Sequence, residues 1–130
     1  MTHNRLIKSS LILLFSTAFL AAQASDTYTD EMHTLAIKTC EHLKTVNYAA
    51  LLPDTHENTQ FTVSIYAEQI TKIDPEIIQQ AIQKMSAVNC TQDISHQPLG
   101  VGHHQISIKG MQAKYNIAML GEEAKITGLK

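Results

Sequence analysis

The chain has 130 residues, with 12 acidic against 10 basic side chains and seven histidines, giving a formal charge of −2 near neutrality. One hydrophobic core fits that length, and a second domain does not. No run of lysine or arginine occurs, which argues against nucleic acid and anionic lipid as partners, because both need clustered cations.

The first element is a three-part leader. Arg5 and Lys8 precede an apolar stretch, Leu11 to Leu20, and Ala22-Gln23-Ala24 satisfies the small-x-small rule for signal peptidase. The apolar stretch is shorter than the about 20 residues a membrane span needs. Cleavage after Ala24 is therefore expected, making residues 1–24 a signal peptide and residues 25–130 a single domain with no stable membrane insertion. No cysteine follows the cut, so no lipid anchor is indicated. Removing Arg5 and Lys8 leaves 8 basic against 12 acidic residues, a formal charge of −4. The export signal predicts a periplasmic or secreted location.

Two cysteines, Cys40 and Cys90, lie in the exported part. An even count in an oxidising compartment reads as a disulfide, and two cysteines allow one intramolecular pairing. A redox-active pair would want Cys-x-x-Cys or an electropositive setting, and neither is present.

From Asp26 to Tyr48 apolar residues recur at helical spacing: Met32, Leu35, Ala36, Cys40, Leu43 and Val46. Ser25 or Asp26 can cap this helix. Leu51 to Thr59 carries turn and polar residues and reads as a loop. Phe61 to Ile73 is open to two readings. Phe61, Val63 and Ile65 alternate as in a strand, whereas Phe61, Ile65, Tyr66, Ile70 and Ile73 repeat as in a helix, which length and Ala67-Glu68-Gln69 favour. Asp74-Pro75-Glu76 is a helix start, with a capping Asp, Pro at the first position and Glu at the positive dipole end. Its stripe is Ile77, Ile78, Ala81, Ile82, Met85 and Val88, read as core, and the helix should end near Asn89.

After Pro98 the period becomes two. Ile106 and Ile108 share a face, as do Ala113, Tyr115, Ile117 and Met119, and Ala124 to Leu129 closes the chain. Gly110 and Gly121-Glu122-Glu123 mark turns. The expectation is a three-stranded antiparallel meander with two amphipathic helices covering its apolar face, an α+β fold.

Three segments carry a family resemblance: "TLAIKTCEHLKTVNYAALLP" at 34–53, "DPEIIQQAIQKM" at 74–85 and "AKYNIAMLGEEAKITGLK" at 113–130. Their order resembles small exported bacterial domains of the nuclear-transport-factor-two-like, or cystatin-like, α+β roll superfamily. Many relatives carry Trp-Lys-Ile in the last strand, and here Ala124 precedes Lys125 and Ile126. The resemblance implies a cone-shaped fold with a pocket between helices and sheet, and no single activity.

Strand alternation puts His104 on the inner face with Ile106 and Ile108, and His103 on the outer one with Gln105 and Ser107. Two neighbours on opposite faces do not chelate one metal. The other histidines lack metal-ligand spacing. His104, with Tyr115 on the next strand and Tyr66 or Asp93 within reach, lines the expected pocket. A structural histidine bonded to a backbone carbonyl, and a core tyrosine with its hydroxyl bonded, are the plainer readings of His104 and Tyr115. No nucleophile motif, paired carboxylate or cofactor motif appears.

The function read from this is an exported, disulfide-stabilised binding protein without catalytic residues or cofactor. Its partner is another protein or a small apolar ligand, and an envelope inhibitor or immunity-type role is one sub-type. The alternatives are a roll-fold enzyme using His104 as acid or base, and a metal-binding module using His96, His103 and His104.

Overall fold

A computed structural model describes residues 26–130. The leader, residues 1–24, lies outside the described residues.

The first helix, α1 (Asp30–Lys44), begins at Thr29, whose hydroxyl accepts the Met32 amide at 3.2 Å. The cap therefore falls three residues after Asp26. Asp30 and Glu31 sit at the positive dipole end, and His42 and Lys44 at the negative end. Met32, Leu35, Ala36, Thr39, Cys40 and Leu43 are buried along one stripe. The helix closes in a Schellman turn: Val46 N–H donates to the Leu43 carbonyl at 3.0 Å and Asn47 N–H to the His42 carbonyl at 2.9 Å. That motif wants glycine at the left-handed position, yet Val46 occupies it with φ of 56°.

The segment expected as a loop is mostly regular. A 3₁₀ helix runs over Tyr48–Asp54 and buries Leu51. Thr55 then forms a parallel bridge to Ile126, and His56 N–H donates to the Ile126 carbonyl at 2.8 Å. This covers the outer edge of the last strand, a place where an unpaired strand would otherwise invite association. The ambiguous segment is a helix, α2 (Glu57–Ile70), of which only Thr59 and Val63 are buried. Phe61 is 76% exposed.

The next helix, α3 (Pro75–Met85), starts as its sequence predicts, with the Asp74 carboxylate accepting the Glu76 amide at 2.9 Å. Its packing corrects the core reading. No residue of α3 is buried, Ile77 is 56% exposed, and of the predicted stripe only Val88, beyond the helix, is enclosed. Periodicity identifies an apolar face but not what covers it. The helix touches the rest of the fold sparsely, so its cap should matter locally. Asp74→Ala should cost α3 about 1 kcal/mol. Hydrogen exchange should therefore speed up across residues 75–85, while the midpoint of global unfolding stays nearly fixed.

A compact turn follows. The Asn89 amide donates to Asp93 Oδ2 at 2.7 Å, and Asn89 Oδ1 accepts from the Thr91 amide at 3.0 Å and the Thr91 hydroxyl at 2.6 Å. This knot holds Cys90 against α1, where it is bonded to Cys40 across a Cα–Cα distance of 5.7 Å. Asp93 is thereby committed to the turn.

The sheet has four strands rather than three, in the order β1 (Ile94–Gly100), β2 (His103–Ile108), β3 (Tyr115–Leu120) and β4 (Glu123–Leu129), all antiparallel. The extra strand is β1, which contains Pro98. Proline is tolerated there because β1 is an edge strand. Its hairpin to β2 turns through Gly100, Val101 and Gly102, all at positive φ, with Val101 90% exposed.

The fold is thus α+β, with N-terminal helices on one face of a C-terminal antiparallel meander. His104, Ile106 and Ile108 of β2 are buried, as are Tyr115 and Ile117 of β3 and Ile126 of β4. They meet the buried stripe of α1 in one core. Tyr115 bonds the two layers directly, its hydroxyl donating to the Ala36 carbonyl at 2.6 Å.

Candidate functional site

Two constellations stand out, at opposite ends of the sheet. The first gathers around Tyr28, in the segment that leads into α1. The Asp26 carbonyl accepts from His104 Nε2 at 2.8 Å, and the Asp26 carboxylate accepts the Gly102 amide at 2.7 Å. Tyr28 stacks flat on His96 of β1, with ring centroids 3.7 Å apart and an interplanar angle of 7°. Its hydroxyl lies 3.1 Å from His33 Nδ1. Burial pushes the Tyr28 hydroxyl up to about 12, so it is neutral throughout the physiological range.

His104 is therefore buried beneath this segment, its Nε2 donating to a backbone carbonyl and its Nδ1 without a partner. Tyr115 is also enclosed, and burial raises its hydroxyl well above the usual tyrosine value. His103 faces the other way, its Nδ1 3.0 Å from the Thr127 hydroxyl. Of the three histidines offered as metal ligands, His96 and His104 lie with ring centroids 5.6 Å apart, whereas His103 is turned to the other face. Among the described residues no group of three or more His, Cys, Asp or Glu is arranged to hold a metal ion.

His96 is an exposed residue, but its ring is partly desolvated where it stacks on Tyr28. Protonation is disfavoured first by that desolvation, then by its neighbours His104 and His33. The folded state thus binds this proton less readily than the unfolded chain does. The contribution to stability is full above about 6.5, the ordinary histidine value, and is lost as pH falls through it toward the lowered folded value. Acidification from pH 7.5 to 5 should lower the melting temperature more in the natural chain than in His96→Phe, which keeps a ring against Tyr28 without the titration. Melting curves at the two pH values check this.

The second constellation is an apolar groove of about 450 Å³ between α3 and the body of the fold. Leu43 and Val46 line it from the end of α1, Tyr48 from the 3₁₀ helix and Ile70 from the end of α2. Ala81, Lys84 and Met85 of α3 form one wall, and Met111 and Ala113 of the β2–β3 connection form another. Gly110 brings that connection close. It sits at φ of 89°, and a Cβ there would lie 3.2 Å from Val88 Cγ2.

Local structure explains each wall. The Schellman turn throws Val46 into the groove in a left-handed conformation that a β-branched residue seldom adopts. Tyr48 is backed by Tyr66, their rings 5.5 Å apart at 20°. Burial raises the Tyr48 hydroxyl above its ordinary value, with Tyr66 adding to the shift. The disulfide turn fixes the chain just beyond α3, so the helix spans the opening while its apolar face stays half-covered.

None of the three pocket residues expected from sequence, His104, Tyr115 and Tyr66, lines the groove; Tyr66 only stacks against Tyr48, which does. Of the residues missed, Tyr48 and Met111 lie in a 3₁₀ helix and a connection where periodicity says nothing. Val46, read from sequence as the end of the α1 stripe, is turned into the groove beyond the helix end. Met111 after Gly110 was the nearest available signal, a large apolar residue in a turn. A further cleft of about 490 Å³ is lined by charged groups, including Asp30, Glu31, Asp54 and Glu122. Its Lys38 pairs with Asp54 at 2.8 Å, and its Lys125 lies 3.5 Å from Glu123.

Among the described residues no helix is long and apolar enough to cross a membrane. No family model, curated protein or solved structure matches this chain.

Proposed function

We propose that the chain is an exported, periplasmic or secreted binding protein that takes a small apolar ligand in the groove beside α3, without catalysis. The observation that carries this is the groove itself. Its volume of about 450 Å³ falls in the range of small-molecule sites, roughly 300–1,000 Å³, and such sites are mostly apolar with few polar groups. An apolar helix face left half-covered in a chain this small is otherwise a cost in solubility. The strained Val46 in the lining adds support, since backbone strain gathers at binding sites.

Export is supported by the three-part leader and by the disulfide, which suits an oxidising compartment. Helices laid over one face of a meander support placing the domain in the α+β roll superfamily.

The test is titration with the neutral fluorophore N-phenyl-1-naphthylamine. The reading expects saturable fluorescence enhancement at one site per chain, and its loss in Ala81→Arg, which puts a charge into the groove wall. Absence of enhancement in the natural chain, or equal enhancement in the variant with an unchanged melting curve, would overturn it.

A further inference from the structure

We infer that the groove selects an amphiphile with a single carboxylate head and an apolar tail; this rests on the groove being a ligand site. Lys84 is the only charged residue in the lining, and no acidic side chain accompanies it. It lies in the last turn of α3, with the groove's apolar wall on the residues around it, Ala81 and Met85. Among the described residues Lys84, like Lys44, Lys109, Lys114 and Lys130, has no carboxylate within ion-pair distance, and of these it alone lines the groove. A cation at the border of an apolar surface, in a chain with an acidic excess, is the arrangement that complements an anionic head on an apolar tail.

Two further groups fit the head. Tyr48 lines the groove, and burial raises its hydroxyl above the ordinary tyrosine value, so at neutral pH it is a hydrogen-bond donor available to an anionic head. The Gln112 side chain, also in the lining, offers amide donors. A phosphate head would call for a second cation or a bidentate arginine, and the lining holds neither. The charged cleft beside Asp30, Glu31 and Glu122 is predominantly acidic, which disfavours it for an anion and leaves the groove as the acceptor.

Competition against N-phenyl-1-naphthylamine separates head from tail. Decanoate and 1-decanol share the tail and differ in charge. In the natural chain at low salt, decanoate should displace the fluorophore at about three- to tenfold lower concentration than decanol, the range expected for one partly solvated ion pair with an accompanying charged hydrogen bond. Lys84→Met keeps the apolar stem and should abolish the preference, leaving decanol unchanged. Lys84→Arg should restore it, and 0.5 M salt should shrink it. Equal displacement by acid and alcohol in the natural chain, or a preference surviving in Lys84→Met, overturns the carboxylate assignment and leaves the groove standing as an apolar site. Fluorophore binding that neither compound displaces overturns the amphiphile assignment as a whole. Failure of the fluorophore itself to bind falls on the groove reading instead.

Discussion

Replacing Cys40 and Cys90 together by alanine should remove about 4 kcal/mol of stability. The bridge spans a sequence separation of 50, and the chain-entropy cost of leaving such a loop open is of that order, an upper-end figure. A domain of this size has about 5–15 kcal/mol in all, so the variant should sit at the margin of folding at 37 °C. At 4–8 °C per kcal/mol for small domains, a fall in melting temperature of roughly 15–30 °C follows. Both cysteines are enclosed in the core, so the natural chain should resist thiol labelling until it is both reduced and unfolded. Urea unfolding with and without reductant reads the effect. A shift under about 1 kcal/mol would mean that the core, rather than the bridge, holds α1 to the turn at Asn89.

The second large effect is expected at Ile106, contrasted with Ile77. Ile106 has no solvent exposure, and it pairs with His96 on one side and Tyr115 on the other. Truncation to alanine leaves a cavity in the middle of the inner sheet face and should cost about 2–5 kcal/mol. Ile77, on the exposed side of α3, should lose less than about 0.5 kcal/mol on the same change. Sequence alone treats both as core isoleucines. Chemical denaturation of the two variants therefore measures whether α3 stands apart from the core.

That contrast shows what could be read from residues and what could not. The α1 stripe was legible because six buried positions fall on one face of an uninterrupted helix. Alternation in β2 was legible too, placing His104 inward and His103 outward before any coordinates. Strand β1 was not, because an edge strand buries little. Six of its seven residues are exposed, so no period of two appears, and Pro98 argues against a strand. The packing of α3 was illegible for a different reason. Its cap and stripe follow from local chemistry, whereas the groove beside it arises from the span between α2 and the disulfide turn. The site suffers most from this limit. Tyr48, Val46 and Met111 sit in a 3₁₀ helix, a Schellman turn and a glycine connection, local structures whose meeting is a tertiary outcome. His104 and Tyr115, the more conspicuous residues in sequence, are committed instead to the backbone carbonyls of Asp26 and Ala36.

The binding reading also bears on motion. Half-covered on its apolar face and capped by Asp74, α3 is the element to which a ligand in the groove would add contacts. Ligand that binds only the folded helix stabilises it in proportion to its occupancy. Saturation should therefore slow hydrogen exchange at residues 75–85 more than in the sheet.

Methionine methyl resonances offer the most direct measurement. Met85 and Met111 line the groove, whereas Met32 is enclosed in the core beneath α1. Saturating the chain with N-phenyl-1-naphthylamine should shift the Met85 and Met111 methyls through the ring currents of the bound fluorophore and leave Met32 in place. Unmoved Met85 and Met111 signals, or shifts of equal size at Met32, would contradict a ligand site between α3 and the sheet.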